Sequence, residues 1–314
     1  MLLFAPNHSV AFGKRVAERL GTALASSEER EFGGGEHKMR PLVDVQGQDV
    51  FVVQSLCGEE HASANDKLCR LLFFVGALED AGARRVTAVV PYFAYARKDR
   101  RTKPQDPVTT RYLAAMFEAA GVDCVVALDI HNEAAFDNAF RCQSVRIEAA
   151  ETFAASLATE LEGSAVVVAS PDIGGVKRAQ LFRETLARRL GREVGFAFLE
   201  KRRSAGVVSG DLLVGDVADR TLVIYDDLIA SGTTILRASE TARRAGAKRI
   251  YVAAPHAAFL PTATQLFATR DIHSVLVSDS IALAPDFANV PRERLRVCSV
   301  APLVAQTIQR LAAR

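Results

Sequence analysis

Short, uninterrupted apolar runs recur along the chain, and amphipathic stretches separate them. DVFVVQS, RVTAVVPY, DCVVALDIH, SAVVVASPD, TLVIYDD, RIYVAAPH and SVLVSDS are each rich in β-branched side chains. A strand with one wet face alternates polar and apolar residues, whereas a continuous run marks a strand covered on both faces, as in parallel sheets flanked by helices. The intervening NDKLCRLLFFVGALEDAG and PVTTRYLAAMFEAAG have helical spacing and close on glycine. The alternation predicts an α/β protein with mostly parallel sheets.

A chain of 314 residues has room for two such domains. An internal echo points the same way: AGARRVTAVVP at 81–91 returns as AGAKRIYVAAP at 245–255, an offset of 164 residues. Each copy joins the end of a helix to a strand. The expected division is residues 1–148 and 149–314, with the last helix packing back on the first domain.

Charge and cysteine usage exclude several classes. A net charge of +2 lacks the basic excess of a nucleic-acid or membrane-surface protein, and no apolar run approaches the roughly 20 residues that span a bilayer. Cys57, Cys69, Cys124, Cys142 and Cys298 never pair as C-x-x-C and read as reduced thiols. With no signal-type N-terminus, the expected location is the cytoplasm.

Several polar residues fall at the carboxyl ends of predicted strands, where parallel α/β sheets bind ligands: Asp129 with His131, Asp172, and Asp226 with Asp227. A single Asp after a strand is ordinarily a turn former or helix cap. Two adjacent carboxylates above ASGTT are different. Small side chains, backbone N–H groups and hydroxyls at the start of a helix can cradle a phosphate. The acids beside it can accept hydrogen bonds from sugar hydroxyls. TLVIYDDLIASGTT therefore points to a phosphorylated sugar.

That stretch resembles the phosphoribosyl diphosphate (PRPP) binding loop shared by phosphoribosyltransferases and PRPP synthetases. VVPYFAYARKDRRTKPQDPVTTRYLAAMFEAAG, LDIH, SPD, EKRR, FGGGE and DVFVVQS…ND extend the resemblance, in order, to nearly the whole chain. They are similar to the ribose-phosphate diphosphokinase (PRPP synthetase) family. The resemblance implies two tandem type I phosphoribosyltransferase-like domains, the first with ATP-binding elements and the second with the ribose 5-phosphate loop. It implies transfer of the diphosphoryl group of ATP to the C1 hydroxyl of ribose 5-phosphate, giving PRPP and AMP, with Mg²⁺ as cofactor.

Residue roles follow from the same resemblance. Lys201 and Arg203 would stabilise charge on the transferring group, and His131 and Asp172 would be metal ligands. Phe32, Glu36, Arg97, Lys98, Asp99 and His131 would bind ATP. Asp172, Asp226, Asp227, Ala230, Ser231, Gly232, Thr233 and Thr234 would bind ribose 5-phosphate. Phe32 and Glu36 act on a neighbouring subunit's nucleotide in this family, which implies a homo-oligomer built from dimers, up to a hexamer.

Four departures stand out. Gly34 replaces a common Asp at the adenine, Lys98 replaces a Gln, and Ala230 and Thr233 replace an Asp and a Gly in the loop. The chain also ends at VAQTIQRLAAR without a Ser-rich tail, so activity without added phosphate and weak inhibition by ADP are expected, as is broader nucleotide use. Two alternatives carry different functions: a catalytically weak regulatory subunit, and a phosphoribosyltransferase that consumes PRPP. The retained Lys201, Arg203, His131 and acid pair speak against the first, and the duplicated architecture against the second.

Overall fold

A computed structural model of the chain describes residues 1–204 and 207–313, with the backbone alone for 201–204 and 207–211. The chain divides into two compact units, Met1–Glu148 with Ala301–Arg314, and Ala149–Val300.

The first unit contains β1 (Leu2–Phe4), β2 (Ser27–Glu31), β3 (His37–Pro41), β4 (Asp49–Val53), β5 (Arg85–Val90), β6 (Cys124–Leu128) and β7 (Gln143–Ile147). Five of these form one sheet in the order β1-β4-β5-β6-β7, every pair parallel, while β2 and β3 make a separate antiparallel hairpin. Every residue of β4 and β6 is buried, as the unbroken apolar runs require of strands covered on both faces. Around them lie α1 (Val10–Leu20), α2 (Ala64–Asp80), α3 (Thr109–Ala119) and α4 (Glu133–Ala139).

Helix α2 opens on a capping box. Asp66 N–H donates to Ser63 Oγ at 3.2 Å, and Ser63 N–H donates to the Asp66 carboxylate at 2.7 Å. Its buried Leu68, Leu71, Phe74, Val75 and Leu78 follow helical spacing, and Phe74 meets Phe4 edge-on. The C-terminal helix, Ala301–Ala312, belongs to this unit. It buries Val304, Ile308 and Leu311, and Arg85 donates to the Leu311 carbonyl at 2.8 Å.

The second unit contains β8 (Val166–Ser170), β9 (Gly195–Ser204), β10 (Val207–Val214), β11 (Thr221–Tyr225), β12 (Arg249–Ala254), β13 (Ser274–Ser278) and β14 (Leu295–Cys298). They form one sheet in the order β10-β9-β8-β11-β12-β13-β14, parallel except for the β9–β10 pair. Its helices include α5 (Ala150–Leu161), α6 (Val176–Leu190) and α7 (Thr233–Arg244). All seven apolar runs read from the sequence are strands.

The echo at 81–91 and 245–255 is a shared joint, matched bond by bond. Ala83 N–H reaches Leu78 O as Ala247 N–H reaches Ala242 O, and Arg84 N–H reaches Gln48 O as Lys248 N–H reaches Arg220 O. The EKRR stretch is part of a strand. Its backbone continues β9 through Ser204, with Lys201 opposite Asp211 and Arg203 opposite Val208. The β-branched Val207 and Val208 complete an antiparallel ladder that the glycines around them had masked in the sequence.

Candidate active site

The strand order of the second unit contains one reversal. From β8 the chain moves to β9 on one side, then returns through β11 to the other. At such a switch point the loops leave the carboxyl ends of adjacent strands in opposite directions and open a crevice. Asp172 follows β8 and the Asp226–Asp227 pair follows β11, so topology brings these three acids to one place.

The acids are held differently. Asp172 caps a short turn, its Oδ1 accepting from Gly175 N–H at 3.1 Å, while Ser170 Oγ donates to the Asp172 carbonyl at 2.6 Å. Asp227 is buried, and its own Oδ1 accepts from Leu228 N–H at 3.0 Å. Asp226 accepts from Asp227 N–H at 2.9 Å. Arg178, which the sequence reading did not single out, donates from Nη1 to Asp226 at 3.1 Å and lies 3.5 Å from Asp227. It reaches the acids because Phe182, one turn further along α6, stacks on Tyr225 with ring centroids 4.1 Å apart. Burial, and then the charge of Asp227, raise the Asp226 carboxyl to about 7 against the opposing pull of Arg178.

Helix α7 begins immediately beyond, and its N-cap residue, Gly232, has no side chain to cap it. Gly232 stands at the N-cap with φ of +78°, and a Cβ there would lie 2.9 Å from Leu266. The position thus demands glycine for both backbone conformation and space. Ser231 and Thr233 hydroxyls are 3.1 Å apart, and Thr233 N–H donates to Ser231 Oγ at 3.4 Å. Ala230 serves through its carbonyl, which accepts from Leu260 N–H at 3.0 Å. Thr234 lies in the first turn. An uncapped helix start with adjacent hydroxyls is a ready anion site.

His256 supports this loop from the neighbouring strand. Its N–H donates to Asp227 O at 3.1 Å, its carbonyl accepts from Ile229 N–H at 3.0 Å, and its buried ring meets Ser280 Oγ at 2.9 Å. Nothing local in PHAAF signals that role, since it depends on β12 lying beside β11.

The first unit holds the other expected residues. Phe32 and Glu36 are exposed at the tip of the β2–β3 hairpin, where Gly34 takes φ of +84°. Arg97 and Lys98 are exposed on the loop after β5, and Lys98 Nζ lies 3.7 Å from Asp106. His131 is exposed after β6. Two non-glycine residues at these strand ends, Tyr95 and Asp129, have φ of +63° and +42°. Such outliers persist where surrounding structure holds them and mark candidate functional sites. The side chains of Lys201 and Arg203 lie outside the described part of the structure.

Known proteins resemble the chain over nearly its whole length. The N-terminal domain of ribose phosphate pyrophosphokinase matches residues 1–121, and a phosphoribosyl transferase domain matches residues 143–262. The ribose-phosphate pyrophosphokinase of Pasteurella multocida is 33% identical over 98% of this chain and 95% of its own length. The chain belongs to the ribose-phosphate pyrophosphokinase family. The Vibrio cholerae member is 35% identical over 99% of this chain and 96% of its own length. The crystal structure of phosphoribosylpyrophosphate synthetase from Mycobacterium smegmatis superimposes with a TM-score of 0.89 at 31% identity, covering 99% of this chain and 98% of that one. The fold is accordingly a tandem of phosphoribosyltransferase-like α/β domains, as family members share.

Among the described residues, no three His, Cys, Asp or Glu side chains form a closed metal cluster. Carboxylates at the switch point still suit a hard cation that keeps its water and arrives with substrate phosphates, which is how Mg²⁺ ordinarily binds. No helix among the described residues is long and apolar enough to cross a membrane.

Proposed function

We propose that this ribose-phosphate pyrophosphokinase relative makes PRPP by its family's reaction, with the roles divided between its two units. The C1 hydroxyl of ribose 5-phosphate attacks the β-phosphorus of ATP. A C1–O–Pβ bond forms, the Pα–O–Pβ bond breaks, AMP leaves, and the hydroxyl proton is lost. The observation that carries this reading is the acid pair beside the glycine-led start of α7, at the strand-order reversal of the second sheet.

In this reading the 5-phosphate accepts hydrogen bonds from backbone N–H groups and hydroxyls of Ala230 to Thr234. The carboxylates of Asp226, Asp227 and Asp172 accept from the ribose hydroxyls. Arg178 keeps the acid pair together until sugar binds. Lys201 and Arg203 place cations where charge grows on the transferring diphosphoryl group. Phe32 and Glu36 contact the base, and Arg97, Lys98, Asp99 and His131 face the nucleotide phosphates. His131 and Asp172 would hold Mg²⁺, which when bound neutralises phosphate charge. The exposed ring of Phe32 favours an assembly in which a second copy uses the hairpin. The reading also takes the protein as a homo-oligomer built from dimers and as a cytoplasmic enzyme.

The test supplies ATP, ribose 5-phosphate and Mg²⁺ and follows PRPP and AMP together. Equal amounts of both are expected. Failure to form either overturns the reading, and PRPP consumption with a free base would make the chain a phosphoribosyltransferase.

A further inference from the structure

We propose that Asn132 is a positioning residue for the nucleotide half of the reaction, holding the loop that carries Arg97 and Lys98 against the turn that carries His131. The inference rests on the reading of the first unit as the nucleotide-binding one. Its basis is a single amide used at both ends. Asn132 Oδ1 accepts from Ala135 N–H at 3.2 Å, capping α4, while Nδ2 donates to Asp99 Oδ2 at 2.5 Å.

The chemistry of the partners fixes the orientation of that amide. A backbone N–H needs an acceptor and a carboxylate needs a donor, so only one flip satisfies both. Aspartate or serine would cap the helix as well as asparagine. Neither has a neutral amide donor for Asp99 at its other end, and aspartate would set two carboxylates against each other.

The clasp adds a polar tie to segments that otherwise meet through apolar packing and a backbone bond: the Phe93 and Phe136 ring centroids lie 5.4 Å apart, and Leu128 N–H donates to Pro91 O at 3.3 Å. The segments depart from adjacent strands, β5 and β6, through the left-handed Tyr95 and Asp129. Within its own loop, Lys98 N–H donates to Tyr95 O at 3.0 Å, and Thr110 Oγ1 donates to Tyr95 O at 3.1 Å. Those bonds shape the loop, and the Asn132–Asp99 bond ties it to the His131 turn, from the residue next to His131 to one two positions beyond Arg97. A hydrogen bond to a carboxylate is among the stronger kinds, and Asp99 and Asn132 are both half-buried.

The experiment compares Asn132→Ser, Asn132→Asp and the exchanged pair Asn132→Asp with Asp99→Asn, all in the full chain. Each keeps a capping residue at 132, so thermal midpoints should stay close to that of the parent. The serine variant should raise KM for ATP about tenfold, and the aspartate variant further through repulsion, with KM for ribose 5-phosphate within about twofold. The exchanged pair restores a donor to a carboxylate across the same gap and removes the repulsion; because Asp99 itself faces the nucleotide phosphates in the proposed site, its KM for ATP should fall below that of Asn132→Asp without returning fully to the parent value. A KM for ATP unchanged in both single variants, equal rises for both substrates, or no recovery in the exchanged pair would overturn the proposal. Absence of PRPP and AMP formation by the parent protein would instead overturn the functional reading on which it rests.

Discussion

Asp226 concentrates the second unit's electrostatics in one side chain. Burial and Asp227 both disfavour its charge, and Arg178 compensates only in part, leaving the carboxyl at about 7. The folded value lies above the unfolded one, so the protonated form favours folding. That stability is full below the ordinary carboxylate range, falls as pH rises, and is gone above about 7. Asp226→Asn should therefore raise the thermal midpoint of the unligated protein at pH 8 more than at pH 5; equal shifts would show that the carboxyl is not raised. Binding that requires the ionised form should release a proton and weaken as pH drops below 7, which calorimetry in buffers of different ionisation heat can read. At Gly232 the limit is steric. Gly232→Ala meets a positive φ and a Leu266 contact of 2.9 Å, so a loss of about 1–3 kcal/mol in urea unfolding is expected, with weaker sugar-phosphate binding.

Among the elements, the β9–β10 ladder and the C-terminal helix test different properties. If Lys201 acts on transition-state charge from β9, Lys201→Ala should lower kcat by about a hundredfold or more and leave ribose 5-phosphate affinity nearly unchanged. Steady-state rates beside direct binding would separate the two, and an unchanged kcat would mark EKRR as a structural charge run. The C-terminal helix acts through packing. Its buried Val304, Ile308 and Leu311 share one face, and Ile308 is fully buried. Ile308→Ala should cost about 2–4 kcal/mol of stability, measurable by chemical unfolding. A loss below about 0.5 kcal/mol, the range of ordinary surface substitutions, would contradict that packing.

In the whole molecule, duplication gives two sheets with different strand orders and so different sites. The first runs β1-β4-β5-β6-β7 without reversal, whereas the second reverses at β8. Replacing Asp226 and Asp227 together with Asn should abolish most ribose 5-phosphate binding and PRPP formation while nucleotide binding persists. Titration calorimetry with each ligand separately would show it, and parent-like sugar-phosphate affinity would refute the assigned sugar site. The α/β class, the seven apolar strands and the acid–loop–helix stretch were legible because each is written in contiguous residues. Arg178, Asn132 and His256 were not, since each acts on a partner far away in the chain: 48 residues separate Arg178 from Asp226, and 33 separate Asp99 from Asn132.

The sequence by itself determined the local chemistry: which runs become buried strands, where a helix can start without a cap, and which family the motifs resemble. Periodicity, turn residues and short motifs act over a few neighbours, so they survive without any knowledge of the fold. Tertiary structure alone decided the strand order that gathers Asp172 with Asp226 and Asp227. It also decided the continuation of β9 through EKRR. Those outcomes depend on pairing and packing between distant segments, and the same local patterns are compatible with more than one such arrangement.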